Sequence, residues 1–263
     1  MPTITGAELI VRMLERQGIR IVAGIPGGAN LPLYDALGQS ETVRHVLARH
    51  EQGAGFIAQG MARATGRPAV FLATSGPGAT NALTALADAK LDSVPIVCIT
   101  GQVPRAMIGT DAFQEVDTYG MSIPLTKHNF LVRSAAHLLE IIPEAFRIAV
   151  SGRPGPVLVD VPKDVQCEAV SFERWPEPAA ADSPPDFAAA AVERAAGLIN
   201  GAERPVLYLG GGVVHAGAAA LAVQLAEKAS IPTTMTLMGL GTMPVDHPLS
   251  LGMLGMHAAR STN

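Results

Sequence analysis

Residues 69–81 read AVFLATSGPGATN and give the clearest indication of the fold. The first six residues are apolar or β-branched, which predicts a buried strand, and the glycines and proline after them predict a tight turn. A helical pattern follows over residues 80–90. A strand that passes through a glycine turn into a helix is part of a βαβ unit, so this stretch predicts a parallel sheet covered by helices.

The same alternation continues on both sides of this stretch. Further strands are predicted at residues 20–24, 43–47, 95–101, 156–161, 206–209 and 233–237, with helical patterns between them. Thr5 and Glu8 have the spacing of a capping box that opens the first helix. Residues 166–186 are rich in proline, alanine and acidic residues, as is typical of a linker. We therefore expect an α/β domain over residues 1–165, a linker over 166–186 and an incomplete second α/β unit over 187–263.

The composition excludes several classes of function. The 263 residues are 48% hydrophobic and 16% charged, which suits a folded core, and the net charge of −4 argues against nucleic acid as a partner. No apolar run approaches the about 18 residues that cross a membrane, and the N-terminus lacks the pattern of a secretory signal. Cys98 and Cys167 form no disulfide framework, and Cys98 lies in an apolar run, so we expect a buried thiol and a cytoplasmic location.

Two segments near the middle of the first domain carry side chains that could do chemistry. Glu51 falls in the first turn of a predicted helix, where free backbone N–H groups stabilise an anion, although it could simply cap that helix. Residues 74–81 include Ser75 and Asn81 and follow a strand's carboxyl end, where α/β sheets bind ligands. The alternative for the second segment is a tight turn with no function.

Two later segments are also candidates. Residues 109–115 place Phe113 and Gln114 in a long loop, where binding residues often gather, and the alternative is a solvated loop. Arg153 and Lys163 flank one predicted strand and could equally be two surface charges. The seven histidines show no metal-ligand spacing, so we expect no metal site within this chain.

Taken together, these segments resemble the large catalytic subunit of acetolactate (acetohydroxyacid) synthase, a thiamine-diphosphate-dependent family. The resemblance extends over essentially the whole chain. It rests on residues 24–29, 49–64, 75–81, 100–104, 109–115, 126–129, 152–165, 209–213 and 248–257.

The resemblance implies a fold and a set of roles for the first domain. The fold would be a three-layer α/β/α pyrimidine-binding domain with a parallel sheet, followed by the start of a second, Rossmann-like α/β domain of the FAD-binding type. Glu51 would bond N1′ of the aminopyrimidine ring of thiamine diphosphate and favour its imino tautomer, while Ser75 and Asn81 would hold the pyrimidine end. The substrate pocket would be lined by Gly28, Ala29, Phe113 and Gln114. Gln114 could instead contact the cofactor, and the small residues would leave no room for larger side chains.

The resemblance also implies two further cofactors. FAD would bind, without net redox chemistry, through Arg153, Lys163, Gly210, Gly211, Gly212, Thr236, Leu237, Met238, Leu254, Gly255, Met256 and His257. The family holds the diphosphate through Mg²⁺ and a Gly-Asp-Gly motif in a third domain, and no Gly-Asp-Gly occurs in these 263 residues. We therefore expect a partial chain that is inactive by itself. The implied partners are 2-oxo acids, further copies of the chain in a dimer or higher oligomer, and a small regulatory subunit.

Two alternatives remain open at this point. The chain could come from another thiamine-diphosphate enzyme, such as glyoxylate carboligase, a 2-oxo acid decarboxylase or an oxalyl-CoA decarboxylase. Glyoxylate carboligase typically has an apolar residue where Glu51 stands, and the form of residues 109–115 argues against the others. The chain could also be a non-catalytic assembly module encoded as half a gene, although the presence of Glu51 argues against it.

Overall fold

The computed structural model describes residues 3–184 and 186–262, and the chain divides into two compact units. The N-terminal unit is Met1–Pro184 and the C-terminal unit is Pro185–Asn263. The elements of the N-terminal unit are β1 (Thr3–Thr5), α1 (Gly6–Arg16), β2 (Ile21–Gly24), α2 (Leu31–Gly38), β3 (Arg44–Leu47), α3 (Glu51–Thr65), β4 (Ala69–Ala73), α4 (Pro77–Leu91), β5 (Ile96–Gln102), α5 (Thr118–Ser122), β6 (His128–Leu131), α6 (Leu138–Val150), β7 (Val157–Pro162), α7 (Lys163–Cys167) and β8 (Ala169–Ser171). Short 3₁₀ turns lie at Arg105–Met107 and Ile123–Leu125.

Six strands of the N-terminal unit form one parallel sheet in the order β3-β2-β4-β5-β7-β6. Successive side chains of a strand point to opposite faces, and β4 shows this directly. Val70 and Leu72 pack into one core with α1, α2 and α6. Phe71 packs into a second core with α3 and α4, whose contacts are mostly alanines. The expected three-layer α/β/α fold is therefore confirmed.

The order of the strands locates the place where a ligand would bind. After β2 the chain forms β3 on one side of it and then β4 on the other side, so the direction of winding reverses there. In open α/β sheets, ligands bind at this reversal, outside the carboxyl ends of the strands. We call this side of the sheet the carboxyl edge, and Gly24, Leu47 and Ala73 are the last strand residues there.

The segment predicted as a linker belongs mostly to the N-terminal unit. Strand β8 pairs antiparallel with β1, the ring of Phe172 packs edge-on against Trp175 at 4.6 Å, and Arg147 forms an ion pair with Asp182. The boundary between the units falls between residues 184 and 185, within the range predicted as a linker. Val170 and Phe172 are buried against the core, so the first part of that range packs on the N-terminal unit, which a composition rich in proline and acidic residues does not indicate.

The C-terminal unit contains a smaller parallel sheet. Its elements are α8 (Ala189–Gly201), β9 (Leu207–Leu209), α9 (Gly211–His215), α10 (Ala219–Ala229), β10 (Thr233–Met235), a 3₁₀ turn (Leu237–Gly239) and β11 (Ser250–Met253). The three strands are parallel in the order β11-β10-β9. Leu209, Ala226, Met235 and Met243 form the centre of its core. Across residues 3–184 and 186–262, no helix combines the length and apolarity that crossing a membrane requires.

Candidate active site

The carboxyl edge brings the loop after β2 against the turn after β4. The backbone N–H of Ala29 donates to Thr74 Oγ1 at 3.3 Å, and the N–H of Gly27 donates to Asn30 Oδ1 at 2.7 Å. A Cβ on Gly27 would lie 2.6 Å from the Thr74 side chain, so only glycine lets the two segments approach this closely. These contacts build a crevice wall where the winding of the sheet reverses.

Glu51 is the first residue of α3 and lies at this crevice. The helix is capped by His50, whose Nδ1 accepts the N–H of Gln52 at 3.1 Å, so the Glu51 carboxylate is not the capping group. Asn81 Nδ2 donates to Glu51 Oε2 at 3.0 Å. The Glu51 side chain is nearly enclosed, with 9% of the residue exposed, and Oε1 accepts no hydrogen bond from any residue that the structure describes. The structure thus brings together two residues that the sequence singled out separately.

The turn between β4 and α4 shapes the space around Glu51. Gly78 stands where a Cβ would lie 3.4 Å from Glu51 Oε1 and 2.7 Å from Thr74 Cγ2. Gly76 has φ +57° and ψ −119°, and a Cβ there would lie 2.5 Å from the carbonyl oxygen of Gln114. Ser75, which directly precedes Gly76, is buried. The glycines therefore allow both the carboxylate and the 109–115 loop to reach the turn.

The remaining residues predicted to contact substrate occupy different environments. Phe113 is 87% exposed and Gln114 is exposed, with the backbone of Gln114 against the turn. Ala29 is buried, and its carbonyl accepts a bond from Gln166 Nε2 at 2.8 Å. A Cβ on Gly28 would meet no described atom within 4 Å, so Gly28 faces open space within this chain. Its place in a wall against the substrate stays a prediction.

A buried carboxylate behind this edge was missed by the sequence analysis. Asp160 lies in the middle of β7 and accepts bonds from Thr100 Oγ1 at 2.7 Å and Gln102 Nε2 at 3.0 Å. Burial raises the pKa of Asp160 to about 7, against the lowering effect of these two hydrogen bonds, and the charge of Asp117 raises the pKa further. A lone charged residue in the apolar run VLVDVP was the available signal.

Tyr34 was also missed, and it lies near Glu51. Its hydroxyl is buried and has no hydrogen-bond partner in the described part of the chain. Burial, together with the charge of Glu51, raises the pKa of the phenol above its ordinary value. Gly24 leaves room for this hydroxyl, because a Cβ there would lie 2.5 Å from it.

Comparison with known proteins identifies the family. Residues 4–121 match the family model described as thiamine pyrophosphate enzyme, N-terminal TPP binding domain. Residues 192–263 match the model described as thiamine pyrophosphate enzyme, central domain. The chain belongs to the thiamine pyrophosphate enzymes. Thiamine pyrophosphate is the same compound as thiamine diphosphate.

Three relatives are similar to this chain along nearly its whole length. Identity is 65% over 259 residues to the acetolactate synthase isozyme 1 large subunit of Escherichia coli (strain K12), covering 98% of this chain and 46% of the relative. It is 53% over 263 residues to the acetolactate synthase large subunit of Corynebacterium glutamicum, covering 98% of this chain and 42% of the relative. It is 49% over 263 residues to a probable acetolactate synthase large subunit of Methanocaldococcus jannaschii, covering 98% and 44%. The chain spans about half the length of these relatives.

The two cations assigned to FAD lie at opposite edges of the sheet of the N-terminal unit. Arg153 precedes β7 and donates to Ser93 Oγ at 2.7 Å and to the carbonyl of Leu91, the last residue of α4, at 3.0 Å. Lys163 follows β7 and begins α7. The six residues of β7 separate them, so one compact ligand group cannot contact both. Their contact with FAD stays a prediction.

The C-terminal unit brings its three predicted FAD segments to one edge of its sheet. The segments of residues 210–212, 236–238 and 254–257 each follow the carboxyl end of one of three adjacent parallel strands. A Cβ on Gly211 would lie 3.0 Å from Met238 Cβ, and the N–H of Leu254 donates to the carbonyl of Met235 at 3.1 Å. This is the side of a parallel sheet where nucleotides bind. The described residues contain no cluster of three histidine, cysteine or acidic side chains that could hold a metal ion.

Proposed function

We propose that the protein to which this chain belongs is an acetolactate synthase with Glu51 as the residue that activates thiamine diphosphate. It would condense pyruvate with a second pyruvate or with 2-oxobutyrate, with loss of CO₂, in branched-chain amino acid biosynthesis. The observation that carries the proposal is the Glu51 carboxylate, which is bonded by Asn81 at 3.0 Å and lies in the crevice where the sheet reverses its winding.

The residues around Glu51 fit an aminopyrimidine ring. Oε2 is bonded to Asn81 and Oε1 is without a donor among the described residues, so one carboxylate oxygen is fixed and the other can share a proton with a ring nitrogen. Gly78 keeps side-chain atoms away from Oε1. The buried position limits the access of water, which strengthens a proton-sharing bond.

The roles of this chain's residues follow from that arrangement. Thiamine diphosphate, when bound, would supply the carbon nucleophile that the reaction of two 2-oxo acids requires. Glu51 holds the proton at Oε1 that sets the ring tautomer. Asn81 keeps the carboxylate in one orientation. Ser75 would line the pyrimidine end, and Gln114 would contact cofactor or substrate.

Further cofactors and partners complete the proposal. FAD would bind at the glycine-rich edge of the C-terminal unit, and Mg²⁺ would be held by residues outside this chain. A second copy would cover the carboxyl edge of the N-terminal unit, because Leu31, Leu47 and Phe113 are exposed apolar side chains there. A small regulatory subunit is suggested by the relatives' designation as large subunits. The free cysteines suit a cytoplasmic location.

The test is a product assay on the full-length protein that contains this chain. The purified protein would be supplied with thiamine diphosphate, Mg²⁺, FAD and pyruvate, and acetolactate and acetaldehyde would both be measured. We expect acetolactate as the main product. Acetaldehyde alone would indicate a decarboxylase, and no consumption of any 2-oxo acid would favour an assembly module; either result contradicts the proposal.

A further inference from the structure

The 109–115 loop is closed on itself by one carboxylate. Glu115 Oε1 accepts the backbone N–H of Gly109, and Oε2 accepts the N–H groups of Thr110 at 3.3 Å and Ala112 at 3.2 Å. These bonds lower the pKa of Glu115, with the N–H of Gly109 as the largest cause. A single side chain thus binds three backbone donors of the loop that carries Phe113 and Gln114.

A second contact ties the end of this loop to the sheet. Gln102 Nε2 donates to the carbonyl of Val116 at 3.2 Å and to Asp160 Oδ2 at 3.0 Å. Asp160 is 1% exposed, so this anchor is rooted in the core of the N-terminal unit. The loop is therefore held at its end as well as from within.

The backbone of the loop adopts conformations that these contacts must maintain. Asp111 and Gln114 have φ values of +56° and +57°, which are uncommon for residues other than glycine. Such conformations persist when several contacts of the surrounding structure hold them in place. Meanwhile the side chain of Phe113 is almost fully exposed. The loop thus has a fixed backbone that presents uncovered side chains.

We propose that Glu115 is a positioning residue that holds the 109–115 loop in a preformed shape, so that Phe113 and Gln114 meet the 2-oxo acid without reordering. This inference rests on the proposed function, which gives Phe113 and Gln114 their contact with substrate. Glu115 itself points its oxygens at the loop backbone and acts through the two residues that it positions. A preformed loop loses less conformational entropy when the substrate binds. Loss of the Glu115 hydrogen bonds should therefore raise KM.

We call the hydrogen bonds from the loop backbone to Glu115 the clamp. The clamp requires a carboxylate and not an amide. An ionised carboxylate accepts several N–H groups and forms bonds roughly twice as strong as neutral ones. A glutamine has one acceptor oxygen, and its NH₂ group would face a backbone N–H that is itself a donor. An aspartate keeps both acceptor oxygens on a side chain shorter by one methylene.

The experiment compares Glu115→Gln, Glu115→Asp and the control Glu41→Gln, an exposed glutamate outside the loop, in the full-length protein. For Glu115→Gln we expect roughly tenfold faster amide exchange among Gly109, Thr110 and Ala112, because glutamine offers one uncharged acceptor oxygen where the carboxylate offers two charged ones. The KM for pyruvate should rise by roughly fivefold or more. Hydrogen–deuterium exchange at C2 of thiamine diphosphate should stay at the wild-type rate, because the Glu51–Asn81 pair is untouched. Glu115→Asp should recover part of the lost amide protection.

Three results would overturn the inference. These are amide exchange in Glu115→Gln as slow as in the control, faster amide exchange with an unchanged KM, and Glu115→Asp no better protected than Glu115→Gln. If the wild-type protein forms no acetolactate, the proposed function fails instead, and amide exchange still decides whether the clamp exists.

Discussion

Gly76 is the position where one added methyl group tests the contact between the β4–α4 turn and the 109–115 loop. Its φ of +57° with ψ of −119° is a conformation that side chains other than hydrogen rarely adopt. In Gly76→Ala the new Cβ would lie 2.5, 2.7 and 2.8 Å from the carbonyl oxygen, carbonyl carbon and Cα of Gln114. All three are backbone atoms, so no side chain can rotate away to relieve the clash.

The size of the effect follows from two contributions. The backbone strain costs about 1–3 kcal/mol, and the overpacking against Gln114 costs about 1–3 kcal/mol more. The matched control is Gly66→Ala at the end of α3, where φ is +66° and a Cβ would meet no atom within 4 Å. This control should cost only about 1–2 kcal/mol. Gly76→Ala should therefore be the more destabilising of the two by about 1–4 kcal/mol.

Urea unfolding measures this difference. Trp175 is the only tryptophan of the chain and packs in the N-terminal unit, so its fluorescence follows the unit that contains Gly76. With a urea slope of about 1–3 kcal/mol per molar, the expected difference shifts the midpoint by about 1 M. Equal midpoints for Gly76→Ala and Gly66→Ala would refute the close contact between the turn and the loop.

Two further predictions concern stability. Burial raises the pKa of Asp160 from 3.8 to about 7, so the stability that this group contributes is complete below about pH 4 and is lost as the pH rises through about 7. Unfolding free energies measured across this range should fall by up to about 4 kcal/mol in the wild type relative to Asp160→Asn, and a difference that does not change with pH would contradict the assignment. Thr5 and Glu8 form a reciprocal capping box, with Thr5 N–H to Glu8 Oε2 at 2.7 Å and Glu8 N–H to Thr5 Oγ1 at 3.2 Å. Thr5→Ala should therefore lower the unfolding free energy by about 1 kcal/mol in the same urea assay, and an unchanged midpoint would show that the box contributes nothing.

The features that the sequence predicted correctly depend on local pattern. The capping box at Thr5, the helix start at Glu51 and the burial of Cys98 are confirmed, because each is encoded within a few neighbouring residues. The apolar alternation within residues 69–73 likewise places its side chains in the two cores. Helix α4 begins at Pro77 and not at residue 80, because proline is well suited to the first turn of a helix.

The features that were missed depend on contacts between distant segments. Strands β6 and β8 were not predicted, and each is defined by its pairing with a strand distant in sequence or by contacts of the folded sheet. The clamp around Glu115 joins residues up to six apart through side-chain bonds that no periodicity encodes. The open space at Gly28 and the distance between Arg153 and Lys163 depend on where the loops and strands lie in the folded sheet. Neither could be predicted from the sequence.

The role proposed for Glu51 is tested by the rate at which the C2 proton of bound thiamine diphosphate exchanges with solvent deuterium in the full-length Glu51→Gln protein. A glutamine can still accept the bond from Asn81 but cannot share a proton with the ring, so the exchange should slow by about two to four orders of magnitude. Exchange as fast as in the wild-type protein, with the cofactor bound, would contradict the role assigned to Glu51.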